Sequence, residues 1–361
     1  MMGHVDIATP DDWHVHLRDD SMLEAVAPFT ASMFRYALVM PNLVPPVRTA
    51  SAAEAYRARI VQAAGEDASS EFTPLMAVYF SQLTFEDLRS GFERGQISAV
   101  KYYPAGATTN SASGGKALID NMPMLEGLAS LGLPLLVHAE AVDPRVDIFA
   151  REAAFLESEL KPICNKLPEL RITVEHISTR VGVDFVTAHP TVGATITPHH
   201  LACDRSDLLA NGLRPALYCK PVINSADDRL ALVQAATSGS GQFFLGTDSA
   251  PHPSSQKMSE VGLPGIFNAP NAIAVVAEVF HGAGKLESLE AFMSLNGAKH
   301  YGLARAAGQM CLHRTERTID EAPMQYVTTA DGQRIRVFGE TAALHWTIGP
   351  TSREHSREPR A

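Results

Sequence analysis

Cysteine is scarce in this sequence. Only four occur in 361 residues, and no two of them form a Cys-x-x-Cys pair; they stand at Cys164, Cys203, Cys219 and Cys311. This spacing supports neither a disulfide framework nor a thiolate zinc site. We therefore expect four reduced thiols in a cytoplasmic protein.

An excess of positive charge and long apolar runs are also lacking. The 30 Lys and Arg residues against 40 Asp and Glu residues give a net charge of -10, so the composition does not favour nucleic-acid binding. No run approaches 18 apolar residues, and the first residues lack a basic stretch followed by an apolar one. We expect a soluble globular protein that neither spans a membrane nor is exported.

Short apolar runs alternate with longer segments of helical period, a pattern typical of a parallel α/β sheet. The sequence contains eight candidate strands. The first ends near residue 16, and the other seven span 36–40, 72–79, 97–103, 134–138, 171–176, 192–197 and 242–248. Eight alternations over about 280 residues favour a (β/α)8 TIM barrel, whose reactive groups sit at the carboxyl ends of the strands. A doubly wound sheet is the alternative.

The helices carry end signals, and the pattern changes after Leu303. Ser51 stands before a helical segment that ends at Gly65, and Gly132 closes another. We predict a barrel over residues 1–303, a C-terminal extension packed on it over 304–351, and a flexible tail over 352–361. An Asp331-Gly332 turn in the extension predicts a small hairpin.

Polar residues follow five of the candidate strands, each directly after an apolar run. They are His14, His16, Lys101, His138, His176 and Asp248. A single histidine at a strand end is usually a hydrogen-bonded core residue. Six such groups on one face of a barrel instead indicate a metal site, because all but lysine are ordinary ligands of zinc.

Lys101 is the unusual member of this set. An ammonium beside one or two divalent cations would be strongly repelled, so the amine there is either neutral or has taken up CO2 to form a carbamate. A carbamate could bridge two metals and offset their repulsion. A plain ion pair with a neighbouring carboxylate is the other interpretation.

The motifs around these residues resemble a known family. They are Asp-Trp-His-Val-His-Leu-Arg, Val-Met-Pro-Asn, Lys-Tyr-Tyr-Pro-Ala-Gly-Ala-Thr-Thr-Asn, Leu-Leu-Val-His-Ala-Glu, Glu-His-Ile-Ser, Thr-Pro-His-His-Leu and Gly-Thr-Asp-Ser-Ala-Pro-His. Over residues 8–300 they resemble dihydroorotase of the amidohydrolase superfamily, in its short bacterial type. The arginine directly after His-x-His-Leu and the Ala-Thr-Thr-Asn run distinguish this type from general amidohydrolases.

The resemblance implies two Zn²⁺ per subunit and reversible cyclisation of N-carbamoyl-L-aspartate to L-dihydroorotate, a step of pyrimidine synthesis. It assigns one zinc to His14, His16, Asp248 and the carbamate of Lys101, and the other to the same carbamate with His138 and His176. Two bound zincs would lower the pKa of a bridging water. This water would then be present as hydroxide. Asp248 would take the proton of the hydroxide and pass it to the departing amide nitrogen.

The resemblance also assigns the substrate contacts. Arg18, Asn42 and His252 fall at the carboxylate clamp, and a guanidinium with an amide and an imidazole suits a carboxylate. The resemblance also places His16 and His138 in contact with the substrate as well as with metal. Thr108 and Thr109 fall in a loop, residues 104–115, that would close over the substrate.

Two substrate positions depart from the family pattern. Lys220 and Pro264 stand where relatives often have an apolar and a small residue. Both positions act through main-chain atoms in the family, so we expect the change at Lys220 to be harmless. Pro264 lacks an N–H, and only its carbonyl could serve. No role is assigned to His199 and His200 beyond candidate partners of the metal ligands.

Two other functions remain open at this point. A related cyclic amidase acting on hydantoins, dihydropyrimidines or allantoin would share the metals but have less need of the carboxylate clamp. A catalytically inactive barrel acting as an assembly partner would lack some ligands, whereas all six are present. The family also implies a homodimer.

Overall fold

A computed structural model describes residues 3–65, 68–69, 71–111, 117–316, 324–339 and 344–349. The predicted tail at 352–361 and the last part of the predicted loop, from residue 112, lie outside the described residues.

Eight parallel strands form the central sheet, in the order of the sequence. They are β2 (Asp12–Val15), β3 (Tyr36–Val39), β4 (Thr73–Tyr79), β5 (Ala99–Tyr102), β6 (Leu135–Val137), β7 (Ile172–Val174), β8 (Val192–Ile196) and β9 (Phe243–Leu245). The barrel closes where the Asp248 N–H donates to the His14 carbonyl at 2.8 Å and the His16 N–H to the Ser249 carbonyl at 3.0 Å. The predicted TIM barrel is confirmed, and the doubly wound alternative was wrong because the first and last strands meet.

Helices lie between the strands on the outside of the barrel. They are α1 (Asp20–Met33), α2 (Ala50–Ala64), α3 (Phe85–Glu93), α4 (Met122–Leu131), α5 (Arg151–Phe155), α6 (Lys161–Lys166), α7 (Arg180–Ala188), α8 (Pro198–Ala202), α9 (Arg205–Leu209), α10 (Ala226–Thr237), α11 (Ser254–Lys257), α12 (Ala272–Gly282) and α13 (Asn296–Tyr301). Short 3-10 or π segments adjoin helices at Leu118–Asn121, Leu156–Leu160, Ala269–Asn271 and Ala291–Leu295, and two more stand apart at Pro215–Leu217 and Leu286–Ser288. Among the described residues, no helix combines the length and apolar character needed to cross a membrane.

Two predicted helix ends are right, at Gly65 and Gly132, and one predicted start is shifted. Gly132 adopts the left-handed conformation that ends α4, as expected. The start of α2 was predicted at Ser51, but the cap is Thr49, whose hydroxyl accepts from the Ala52 N–H at 3.2 Å. Either hydroxyl is a good cap by composition, so the backbone geometry decided between them.

The last part of the described chain builds two small sheets. The hairpin predicted around Asp331 is present as β11 (Tyr326–Thr328) paired with β12 (Arg334–Arg336). β1 (His4–Ala8) pairs antiparallel with β10 (Gln309–Arg314), which in turn pairs with β13 (Trp346–Gly349). β1 was not predicted, because its strand partner lies about 300 residues away. The division at residue 303 stays a prediction.

The floor of the barrel is organised by the indole of Trp13. Its ring stacks on Tyr301 with centroids 4.6 Å apart, and Phe244 meets it edge-on at 6.5 Å. Gly297 lies against the same indole, where a Cβ would come within 2.0 Å of Trp13 Nε1. Because Trp13 directly precedes His14, this packing fixes the strand that carries the first pair of histidines.

Gly297→Ala is expected to destabilise the protein by about 2–4 kcal/mol, since the methyl group must displace a buried ring in a close-packed core. Gly282→Ala is the matched control, because no atom lies within 4 Å of the Cβ it would add. Urea denaturation of both variants measures the difference. Equal stabilities would show that the indole is free to move.

Candidate active site

Two histidines and one aspartate converge at the junction of the first and last barrel strands. His14 Nε2 and His16 Nε2 are 3.3 Å apart, and Asp248 Oδ1 lies 3.3 Å from the first and 3.1 Å from the second. All three residues are buried. Two nitrogens bound to one tetrahedral Zn²⁺ at ordinary bond lengths would lie about 3.3 Å apart. The spacing therefore fits three ligands of a single divalent cation.

A second pair of imidazoles lies beside this cluster. His138 Nδ1 and His176 Nε2 are 3.0 Å apart, and the His14 and His176 rings have centroids 5.0 Å apart. Burial lowers the pKa of both His14 and His176, which keeps their rings neutral and able to donate a lone pair. The two groups of ligand atoms are adjacent but separate.

Lys101 is completely buried next to these groups. Its ammonium nitrogen has no hydrogen-bond partner among the residues that the structure describes, although a buried charge normally has several. Burial lowers its pKa to about 8, and the nearby Glu175 and Asp248 only partly oppose this. Within the described part of the chain, Lys101 forms no ion pair of the kind considered as an alternative. A buried amine without hydrogen bonds instead indicates that a group from outside the protein chain binds at this position.

The donor set fits a pair of divalent cations. Four imidazoles and a carboxylate are ligands that zinc prefers, and a carbamate on Lys101 would add an anion between the two groups. Cations at these positions would also remove the repulsion between imidazole lone pairs that face each other at 3.0–3.3 Å.

The backbone is strained at three of the site residues. Arg18, His176 and Asp248 have φ values of 60°, 42° and 43°, in the left-handed region that non-glycine residues seldom adopt. Each costs on the order of 1 kcal/mol or more. Such strain persists where the surrounding structure holds it, and here it turns side chains at strand ends into the barrel mouth.

Sequence reasoning missed two carboxylates that orient these histidines. Glu175 accepts a very short hydrogen bond from His14 Nδ1, and Glu140 Oε2 lies 2.6 Å from His138 Nε2. Holding one ring nitrogen leaves the other free to point at a metal. The signal was available, because an acidic residue inside an apolar run is almost never buried without a partner.

The residues predicted to clamp a carboxylate lie together on the other side of the site. Arg18 Nη2 donates to His252 Nε2 at 3.1 Å, and Arg18 Nε donates to the Pro251 carbonyl at 3.1 Å. Burial and the Arg18 charge lower the pKa of His252, so its ring accepts as a neutral imidazole. Asn42 joins this region to the histidines, since its Oδ1 is 2.9 Å from His16 Nδ1.

The predicted loop lies over the site. Thr109 Oγ1 donates to the Pro264 carbonyl at 3.4 Å, and the Thr109 carbonyl accepts from Asn42 Nδ2 at 3.1 Å. Lys220, expected to act only through its main chain, also extends its ammonium to the Ala107 carbonyl at 2.8 Å. This side-chain contact with the loop was not predicted.

A small cavity remains between the loop and the metal-ligand candidates. Its lining includes Thr108, Thr109, Lys220, Pro264 and, from the barrel, His16, Arg18, Asn42, Tyr103, His138, His176 and Asp248. Its volume of about 20 Å³ has room for one water molecule but not for a six-membered ring. A ring substrate therefore requires the loop to move.

His199, His200 and Cys219 form another buried group of potential metal ligands. Both ring nitrogens of His200 are already engaged, with Thr197 Oγ1 at 2.8 Å and with the Pro221 carbonyl at 3.1 Å. The Cys219 thiol also donates to the Pro221 carbonyl, at 3.2 Å. These contacts make the group a support for the loop that carries Lys220.

Comparison with known proteins agrees with this geometry. The family model described as "Amidohydrolase family" matches residues 7–312. The chain belongs to the amidohydrolase family. A dihydroorotase of Chelativorans sp. (strain BNC1) is 48% identical over 349 residues, covering 96% of this chain and 99% of that protein. A dihydroorotase of Coxiella burnetii is 48% identical over 325 residues, covering 89% and 93%.

Solved structures place this amidohydrolase among the dihydroorotases. A Campylobacter jejuni dihydroorotase superposes with a TM-score of 0.87 at 32% identity, covering 97% of this chain and 98% of that one. A Saccharomyces cerevisiae dihydroorotase in complex with 5-fluoroorotic acid has a TM-score of 0.87 at 30% identity, covering 96% and 98%. The predicted resemblance is confirmed, and the chain is a cyclic amide hydrolase. The catalytically inactive barrel was the wrong alternative.

Lys101→Met is expected to stabilise the metal-free amidohydrolase at pH 7. The unfolded amine has the ordinary pKa of 10.5 and burial lowers the folded value to about 8, so below pH 8 both states are protonated and the folded state buries the charge. This shift corresponds to roughly 3 kcal/mol. Between pH 8 and 10.5 the folded amine is deprotonated while the unfolded one still binds its proton, so the gain shrinks.

Urea denaturation of chelator-treated protein at pH 7 and pH 10, in carbonate-free buffer, measures this effect. Lys166→Met, at an exposed position, is the control and should change little at either pH. A Lys101 variant less stable than the parent at pH 7, or a gain that does not vary with pH, would contradict the assignment.

Proposed function

We propose that this protein is a zinc-dependent dihydroorotase. It would catalyse the reversible cyclisation of N-carbamoyl-L-aspartate to L-dihydroorotate in pyrimidine synthesis. The observation that carries the proposal is the arrangement around Lys101. A buried amine without a hydrogen-bond partner in the described part of the chain lies beside two groups of metal-ligand candidates, and a guanidinium-imidazole pair suited to a carboxylate lies across the same cavity.

Six side chains would hold the metals. His14, His16 and Asp248 would bind one zinc, His138 and His176 the other, and the carboxylated amine of Lys101 would bridge them. When bound, two zincs supply Lewis acidity and an ionised water near neutral pH. Glu175 and Glu140 would keep the rings of His14 and His138 in the orientation that ligation requires.

Asp248 is the candidate for proton transfer. Burial raises the pKa of its carboxyl above the usual range, although His14 and Lys101 oppose this. A raised pKa suits a group that both accepts and returns a proton. In ring opening Asp248 would accept the proton of the attacking water and deliver it to the amide nitrogen of the ring. In ring closure it would take that proton back.

The substrate carboxylate would be bound by Arg18, Asn42 and His252. The guanidinium offers charge-assisted hydrogen bonds, and the neutral imidazole adds a polar contact without a second charge. This group distinguishes a carboxylated ring from a hydantoin or a dihydropyrimidine. Thr108 and Thr109 would add hydrogen bonds when the loop folds over the ring, and Lys220 and Pro264 would contribute main-chain groups.

The homodimer and the cytoplasmic location suggested by the family remain predictions. Size-exclusion chromatography with light scattering would test the dimer.

Ultraviolet-monitored turnover of L-dihydroorotate, with metal analysis of the same sample, tests the function. We expect turnover of L-dihydroorotate, at least 100-fold weaker turnover of hydantoin and 5,6-dihydrouracil, and about two zincs per chain. Faster hydrolysis of the uncarboxylated rings would show instead a related cyclic amidase. Turnover with at most one metal per chain would contradict the binuclear site.

Arg18→Met is expected to raise KM for L-dihydroorotate by roughly 10- to 100-fold, since a charge-assisted contact with the carboxylate is lost. The metal content should be unchanged, because Arg18 contacts no metal-ligand candidate through its side chain in the described residues. Arg59→Met is the control. Arg59 forms an exposed ion pair with Asp19 at 2.8 Å, and its loss should change KM less than about twofold. Loss of zinc from the Arg18 variant would mark that residue as structural.

A further inference from the structure

A second cavity lies directly behind the carboxylate-binding side of the active site. Its volume is about 590 Å³, and it is bounded by α10, α12 and the hairpin end at Arg336 to Gly339. His252 and Gly265 line this cavity, and Gly265 also lines the active-site cavity. We call the segment from Leu263 to Gly265, together with His252, the partition. It has the active-site cavity on one side and the second cavity on the other.

A partition of this kind cannot be held in place by packing alone. Buried groups normally keep their positions because neighbouring atoms fill the space around them. The cavity removes those neighbours from one side of the partition. Its position must therefore depend on directed interactions.

Lys257 supplies these interactions. Its side chain is 7% exposed, and its ammonium donates to three carbonyls: Tyr218 at 3.0 Å, Leu263 at 3.3 Å and Gly265 at 2.5 Å. These are all the donors that an ammonium has. Among the described residues no carboxylate forms an ion pair with it, and burial lowers its pKa to about 8. Burying a charge costs free energy, and the hydrogen bonds to these three carbonyls offset that cost.

The three carbonyls belong to the two segments that would present main-chain groups to the substrate. One precedes Lys220 and the other brackets Pro264. The segments are also joined directly, since the Gly265 N–H donates to the Tyr218 carbonyl at 2.9 Å. Lys257 thus holds both segments from a single point.

On the active-site side the partition fits tightly. Gly265 has φ of +145°, and a Cβ there would lie 2.6 Å from the Ala250 carbonyl and 2.9 Å from the His252 ring. A small movement of Gly265 would therefore displace His252, which accepts from Arg18 at 3.1 Å. The partition is in close contact with other atoms on its active-site side and faces the second cavity on the other. Lys257 therefore sets the position of the partition.

We propose that Lys257 is a positioning residue that fixes the Pro264–Gly265 main chain and His252 for recognition of the substrate carboxylate. The proposal rests on the proposed function for its substrate, and it adds a residue that touches neither metal nor substrate. Loss of the ammonium would let the partition relax into the cavity behind it. Binding of the carboxylated ring would weaken, while the metals and the proton-transfer groups would stay in place.

Lys257→Met tests this, because it keeps the length of the side chain and removes the donors. We expect KM for L-dihydroorotate to rise roughly 10- to 100-fold, the cost typical of a small misplacement of binding groups, with kcat changed less than about threefold and zinc content unchanged. Binding of 5-fluoroorotic acid, measured by calorimetry, should weaken by a similar factor. Lys257→Arg retains charge and donors and should restore a large part of the affinity.

Hydrogen exchange gives a readout that does not depend on turnover. Amides of residues 258–267 should exchange faster in Lys257→Met, the Gly265 N–H among them, while those of the barrel strands keep their rates. Lys285→Met is the control, since that exposed lysine forms a 3.5 Å surface ion pair with Glu287. If Lys257→Met fails to fold, Lys257→Gln, which is shorter and uncharged, should give the same separation of KM from kcat.

The proposal is overturned if folded Lys257→Met keeps its KM and affinity within about twofold, or if it loses kcat or zinc with KM unchanged. Unaltered exchange over 258–267 would overturn it as well. Failure of the unmodified protein to act on L-dihydroorotate would refute the proposed function only. The exchange measurement would still decide whether Lys257 holds the partition.

Discussion

The site depends on imidazole lone pairs and a carboxylate that face one another in a buried pocket. Four imidazole nitrogens and a carboxylate oxygen lie about 3 Å apart in two adjacent groups, and beside them lies a lysine that makes no hydrogen bond with the described residues. In a buried setting this arrangement is unfavourable by itself, because neighbouring acceptors repel and an unpaired amine loses its hydration. Two divalent cations and one added anion would turn every one of these contacts into an attraction.

The barrel enforces this arrangement through strand register and local strain. Parallel strands end at one face, so residues from β2, β5, β6 and β7 that are far apart in the chain reach a common mouth. The stacked indole of Trp13 fixes the first strand from below, and Thr247 fixes the last, since its hydroxyl donates to Asp12 at 2.6 Å. Left-handed backbone at His176 and Asp248 then directs the ligand atoms inward. The rigid barrel around these residues holds them in the strained conformation.

The carboxylate side of the site is built differently. Arg18 and His252 are joined by a hydrogen bond, but the partition behind them faces a cavity rather than packed side chains. There, hydrogen bonds from one lysine ammonium to main-chain carbonyls hold the segments in place, whereas apolar packing does so at the metal side. The protein thus combines a rigid half that would hold metals with a half whose position depends on directed hydrogen bonds.

The sequence by itself determined the eight strands, their order and the six metal-ligand candidates. Apolar runs that end in His, Lys or Asp are local patterns, so they can be recognised without a structure. Through its resemblance to a family, the sequence also predicted that Arg18, Asn42 and His252 bind a carboxylate. Only the tertiary structure decided that Glu175 and Glu140 orient the histidines, that Lys220 reaches the loop with its side chain, that β1 joins a strand about 300 residues away, and that Lys257 spans three carbonyls. These features depend on distances between segments remote in the chain, and no local pattern of residues encodes such distances.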